Sequence, residues 1–128
     1  MDAAQALADL TEISSQIEAA VLFDEEGSVH GSTLAGDDTA RAFAGAAAGL
    51  LERAAAFRSD DGTVTQLEAS TVEGSVFVVR DGVRRIAATT GPEPTVGLVF
   101  YDLKSCLRNA DAEPEPAKRT RRKADDEA

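Results

Sequence analysis

A chain of 128 residues with 43% hydrophobic side chains has room for a single domain, and without tryptophan and with only 5% aromatics its core must be aliphatic. A net charge of −10 excludes nucleic acid and anionic lipid as partners held by general electrostatics. A single cysteine, Cys106, excludes an internal disulfide.

The first ten residues are acidic and lack the basic start of a signal peptide. No apolar run approaches the roughly 20 residues of a membrane span, so the expectation is a cytoplasmic protein with no stable membrane insertion. From Asp2 to Ile13, apolar residues at Leu7, Leu10 and Ile13 predict a short helix. Ile17 to Asp24 follows as a strand, and its continuous run Ala19 to Phe23 suits burial on both faces. Glu25-Glu26-Gly27 reads as a tight turn and Ser28 to Leu34 as the returning strand.

Asp37 to Arg58 is the one stretch long enough for a helix of about six turns. Gly36-Asp37-Asp38 supplies carboxylates for its first N–H groups, and Arg58 marks its last turn. Phe43, Ala47, Leu50, Leu51, Ala54 and Phe57 form a helical stripe expected to face the core. The opposite flank, Ala42, Gly45, Ala46 and Gly49, is small too. Each interior glycine costs about 1 kcal/mol relative to alanine, a cost that close approach of another backbone would offset. The helix should then be covered on two sides, the second by another subunit; the alternative is a solvated, alanine-rich face.

Beyond a loop at Ser59–Gly62, Thr63 to Val72 alternates without a strongly apolar side, as an edge strand or a strand paired across a subunit boundary would. After a turn at Glu73-Gly74, Ser75 to Arg80 reads as the most buried strand. Asp81-Gly82 signals a type I′ turn, and Val83 to Thr90 returns with Arg84 outward and Ile86 inward. Past Gly91-Pro92-Glu93-Pro94, apolar residues at Val96, Val99, Phe100, Leu103 and Leu107 predict a helix over 95–109 capped by Thr95. The domain is thus residues 1–110. Residues 111–128 lack aromatic and branched aliphatic side chains and are expected to be a disordered charged tail, dispensable for folding. Its basic run, Lys118 to Lys123, reads as a tether to an anionic surface or as a solubilising segment neutralised by neighbouring acids; the second is favoured.

No constellation carries chemistry. His30 is the only histidine and has no nucleophile near it in sequence. One Cys and one His do not make a zinc site. The acidic-glycine clusters at 24–27, 60–62 and 81–82 lack calcium-loop spacing, and Gly27 to Gly31 lacks the lysine of a phosphate loop. Neither enzyme activity, cofactor nor metal is expected, and Cys106 reads as structural.

The order helix, hairpin, long helix, three-strand meander, helix resembles the roadblock family, the small domains of dynein light-chain roadblock and its bacterial and archaeal relatives. Ala20 to Gly27 is similar to the family's first hairpin, Thr39 to Arg58 to its central helix, and Val96-Gly97-Leu98-Val99-Phe100-Tyr101-Asp102-Leu103 to the opening of the last helix in actinobacterial members. The likeness spans residues 5–110. It implies an α/β (α+β) fold: a five-stranded antiparallel sheet with the central helix on one face and the terminal helices on the other. It further implies a homodimer of paired central helices and third strands, which here would use Ala42, Gly45, Ala46, Gly49, Thr63, Thr65 and Leu67. Family members bind small Ras-like GTPases, and some assist GTP hydrolysis without supplying catalytic residues. On this chain the platform would carry Asp37, Asp38, Arg41, Glu52, Arg53 and Arg58; alternatively these residues only solvate the helix. Two other readings stand beside a GTPase regulator: a small-molecule sensor domain, against which the scarce aromatics argue, and a purely structural assembly module.

Overall fold

A computed structural model describes residues 2–57 and 64–111. The elements run α1 (Ala3–Ile13), β1 (Ile17–Asp24), β2 (Val29–Ser32), α2 (Asp37–Ala55), β3 (Gln66–Thr71), β4 (Gly74–Asp81), β5 (Arg84–Thr90) and α3 (Val96–Asp111). The predicted order α-β-β-α-β-β-β-α holds. α1 starts where a cap was available: Asp2 accepts from Gln5 N at 2.8 Å, satisfying one of the helix's free N–H groups. α3 begins after Thr95, whose carbonyl accepts from Val99 N at 3.0 Å and whose N–H is taken by Gln16 Oε1 at 2.6 Å. It extends through Asp111, past the expected helix end at Asn109; the rest of the tail lies outside the described residues.

The strands form one antiparallel sheet in the order β2-β1-β5-β4-β3. Its edges are β2 and β3, as the polar alternation of β3 foretold. β5 lies at the centre and has the longer unbroken buried run, Arg85 to Ala88, so the expectation that β4 would be the most buried strand is corrected. A central strand has neighbours on both sides and layers on both faces, which a run of apolar letters does not reveal.

Each face of the sheet has its own core because successive side chains alternate. Ala20, Leu22, Phe77, Val79, Ile86 and Ala88 pack beneath α1 and α3 with Leu7, Leu10, Val99, Leu103 and Leu107. Val21, Phe23, Val78 and Ala87 pack beneath α2 with Ala40, Ala44, Ala47 and Leu51. Alternation also corrects the reading of β5. Arg84 shares the α1/α3 face with Ile86 and is half-buried rather than outward; Arg85, on the α2 face, is the more buried arginine.

Two turns differ from expectation. Asp81 pairs with Arg84, so the central turn residues are Gly82 and Val83. Only Gly82 has positive φ (62°). A type I′ turn needs positive φ at both central positions, whereas glycine first is the type II′ pattern. Thr71 pairs with Gly74, so the preceding turn is Val72-Glu73, one residue earlier than expected. Gly74 is required by close approach: with φ 154°, a Cβ there would lie 2.1 Å from Thr90 O.

Candidate functional site

α2 is the unusual element. Its N-cap is Gly36, with no side-chain cap. Asp37 and Asp38 lie inside the first turn, so they favour the helix through its dipole and do not cap it, a correction to the sequence reading. Asp38 instead pairs with Arg41 one turn on. Both groups are exposed, and such pairs contribute about 0–1 kcal/mol. The helix ends at Ala55, short of the expected Arg58. Ala56 N bonds Arg53 O and Phe57 N bonds Ala54 O at three-residue spacing, a tightened last turn. Arg53 is the basic residue of that turn, and Arg58 lies outside the described residues.

The inward stripe is Ala40, Ala44, Ala47 and Leu51, all buried. Of the stripe expected to face the core, Ala47 and Leu51 do so, and Phe43 packs half-buried at its border. Leu50 and Ala54 are half-buried outside that core, and Phe57 is 89% exposed. At about 100° per residue, Phe43, Leu50 and Ala54 line one flank of α2, rotated from the inward line, and Phe57 follows just past the helix end. Three alanines on that line let the helix axis sit close to the sheet, and the apolar flank beside it stays half-buried among the described residues.

Ala42, Gly45 and Ala46 are exposed and Gly49 is half-buried. A Cβ on Gly45 would meet nothing within 4 Å, and one on Gly49 would meet Arg53 Nη1 at 4.0 Å. Thus within one chain neither glycine is required by packing. Thr65 is exposed and its carbonyl accepts from Arg80 N at 2.8 Å, prolonging the β3–β4 ladder. Leu67 is half-buried at the border of the α2-side core. Thr63 lies outside the described residues.

The charged residues of α2 line two separate grooves along the helix. Asp37 and Arg41 line a groove of about 520 Å³ between the start of α2 and β2. Glu52 lines a second groove of about 380 Å³ with Gly45, Gly49, Asp24, Glu25, Arg80 and Arg85. Arg53 lies beside Gly49. Twelve residues place Arg41 and Arg53 about 18 Å apart along α2 and about 120° apart around it, so the structure does not bring them onto one flank.

Arg85 is the residue that sequence reasoning missed. It is 8% exposed and donates through Nη1 to Val83 O at 3.2 Å. Burial and the neighbouring Arg80 push its pKa below the usual guanidinium value, opposed by Glu25 and Asp24. The parity of β5 was the available signal: Arg85 alternates with Arg84 and Ile86.

At the same end of β1, where Phe23 pairs with Arg85, Asp24 organises the first hairpin. Its Oδ2 lies 2.8 Å from His30 Nε2, and its Oδ1 accepts from Glu26 N at 2.9 Å and Ser28 N at 3.0 Å. The His30 hydrogen bond, then those backbone bonds, lower its pKa against the opposing effect of burial. Cys106 is buried beside Ala6 O at 3.5 Å, and burial, with Asp9, pushes its thiol up to about 12. A thiol protonated at neutral pH is a poor nucleophile. Among the described residues no group of three or more His, Cys, Asp or Glu is placed to hold a metal, and no helix is long and apolar enough to cross a membrane.

The Roadblock/LC7 domain model matches residues 4–89, from α1 to the end of β5. A Roadblock/LC7 domain from Streptomyces avermitilis has the same fold with a TM-score of 0.75 at 23% identity, over 87% of this chain and 96% of that one. MglB of Myxococcus xanthus aligns with a TM-score of 0.63 at 13% identity, over 85% of this chain and 82% of its own. The gliding protein MglB of Thermus thermophilus does so with a TM-score of 0.63 at 17% identity, over 84% of each. No curated protein matches. The sheet order, the three helices and the matched residues together lead to one conclusion: the chain belongs to the Roadblock/LC7 domain family.

Proposed function

We propose that the chain is a non-catalytic homodimeric regulator that binds a small Ras-like GTPase. The observation that carries this reading is α2: a helix seated on alanines, with small residues outward, a half-buried apolar flank and the exposed Phe57 just past its end. A helix apolar on most of its surface is normally covered on most sides. In the dimer, the flank of Phe43, Leu50, Ala54 and Phe57 and the β3 edge at Thr65 and Leu67 meet a second copy. Ala42, Gly45, Ala46 and Gly49 allow that helix to approach closely. Membership of a family whose members bind Ras-like GTPases supports the partner. Asp37, Arg41 and Glu52 line the flank grooves that the partner meets, and charges of this kind mainly govern encounter rate and salt dependence.

Sedimentation and calorimetric titration with a Ras-like GTPase encoded beside this chain test both halves. The expected result is a dimer at tens of micromolar that binds the GTPase and loses association rate when Arg41 is reversed to Glu. Phe57→Asp with Gly49→Leu should leave a folded monomer. A monomeric wild type overturns the dimer, and a dimer without affinity for the GTPase overturns the partner.

A further inference from the structure

The α1/α3 layer, opposite α2, carries exposed apolar side chains of its own. Among the described residues, four of the seven exposed large apolar side chains lie in the α1/α3 layer: Ile13, Val96, Leu98 and Tyr101. Ile13 is 72% exposed, Tyr101 65% and Leu98 50%. α1 and α3 run antiparallel, since Cys106 lies beside Ala6 and Ile13 lines the same groove as Tyr101. That groove, about 200 Å³, also brings Asp9 to the level of Ser105. Leu98, Tyr101, Lys104 and Arg108 are exposed on the outward side of α3.

The exposed charges of the two helices are sorted by helix: Asp9 lines the seam, whereas Lys104 and Arg108 line the groove that α3 forms with β3 and β4. α1 and its cap carry Asp2, Asp9 and Glu12 and no base. Through residue 110, the exposed charges of α3 are Lys104 and Arg108, and its one acid, Asp102, is buried. An acidic helix therefore lies beside a basic one. A surface so divided is complementary to itself under one two-fold axis only. An axis parallel to the helices places α1 over the α3 of a second copy and preserves levels, so Asp9 and Glu12 meet Lys104 and Arg108. An axis across the helices places α1 on α1, acid against acid, which like-charge repulsion disfavours. The apolar seam supplies the attraction and the charges choose the arrangement.

We infer that the α1/α3 face is a second self-association surface, distinct from the α2 flank, with the α1 of one copy seated on the α3 of the other. Isologous contacts of this kind are how identical chains close on themselves.

The experiment uses the full chain with Phe57→Asp and Gly49→Leu, so that association through α2 is removed and failure of the α2 dimer is read separately. Sedimentation follows four versions: the parent, Lys104→Glu with Arg108→Glu, Asp9→Lys with Glu12→Lys, and all four reversals together. Circular dichroism confirms that each is folded. The parent should self-associate below about 1 mM. Each double reversal should weaken association at least about tenfold, and the four together should restore it. Tyr101→Ser should also weaken it. A parent that stays monomeric at about 1 mM overturns the inference and leaves the face to a different partner. Association unchanged by either reversal, or not restored by combining them, overturns it too.

Discussion

The two faces of the sheet are built on different principles. Beneath α1 and α3 the core is made of large side chains, with Leu22, Phe77, Ile86, Leu103 and Leu107 almost wholly buried. There the ring of Phe77 meets Phe100 edge-on at 5.0 Å. Beneath α2 the helix contributes Ala40, Ala44, Ala47 and Leu51, so a thin layer rests against Val21, Phe23, Val78 and Ala87. The first face supplies bulk, and each fully buried Leu, Ile or Phe is worth about 1.5–3 kcal/mol. The second gives up bulk for proximity, with a helix seated low on three alanines.

That contrast breaks most visibly at Phe77. Phe77→Ala should cost about 3–5 kcal/mol in urea denaturation, much of the stability of a domain this size. A cost under about 1 kcal/mol would mean that the α1/α3 side is not the bulk core.

On the α2 face the sensitive direction is the opposite one. Ala44→Leu should destabilise by about 1–3 kcal/mol, because the added atoms must lift the helix from Val21 and Ala87. Ala46→Leu, outward on the same helix, should stay within about 0.5 kcal/mol in the monomer. Equal effects would refute the low seating of α2.

Gly45→Ala should raise monomer stability by about 0.5–1 kcal/mol, since the new Cβ meets nothing within 4 Å. Measured in the Phe57→Asp, Gly49→Leu monomer, this is a pure backbone effect. In the dimer the same substitution should weaken association, and a gain in both would remove Gly45 from the interface.

The smallest effect is expected at the β1–β2 hairpin. Asp24 has its pKa lowered by His30 and by backbone N–H groups. Its ionised form is favoured by folding, so its contribution is fully present above the ordinary carboxylate value of about 4. It is lost as pH falls through the lowered folded-state value. The stability gap between wild type and Asp24→Asn should be constant near neutrality and narrow in acid. A gap independent of pH down to about 3 would show that these hydrogen bonds do not favour the carboxylate.

Much of the architecture was legible in the sequence because it is written in local periodicities. β1 was bounded correctly, α1 to its cap, and the remaining strands to within a few residues. The polar alternation of β3 marked it as an edge, and the apolar spacing of α3 overrode its β-prone Val-Phe-Tyr. The candidate surface on α2 was legible as small residues at helical spacing. Its directions were less so: Arg41 and Arg53 share a helix but not a flank, and Phe57 faces solvent.

The sequence by itself determined which segments are helix or strand, since period 3.6 and period 2 are properties of neighbouring residues and need no tertiary context. Only the tertiary structure decided which strand is central, that Arg85 rather than Arg84 is the more buried, that Gly82-Val83 forms the turn, and that α1 and α3 set an acidic helix beside a basic one. Burial and juxtaposition depend on which layers cover each face, and those layers come from residues up to a hundred positions apart, as Ala6 beside Cys106 shows.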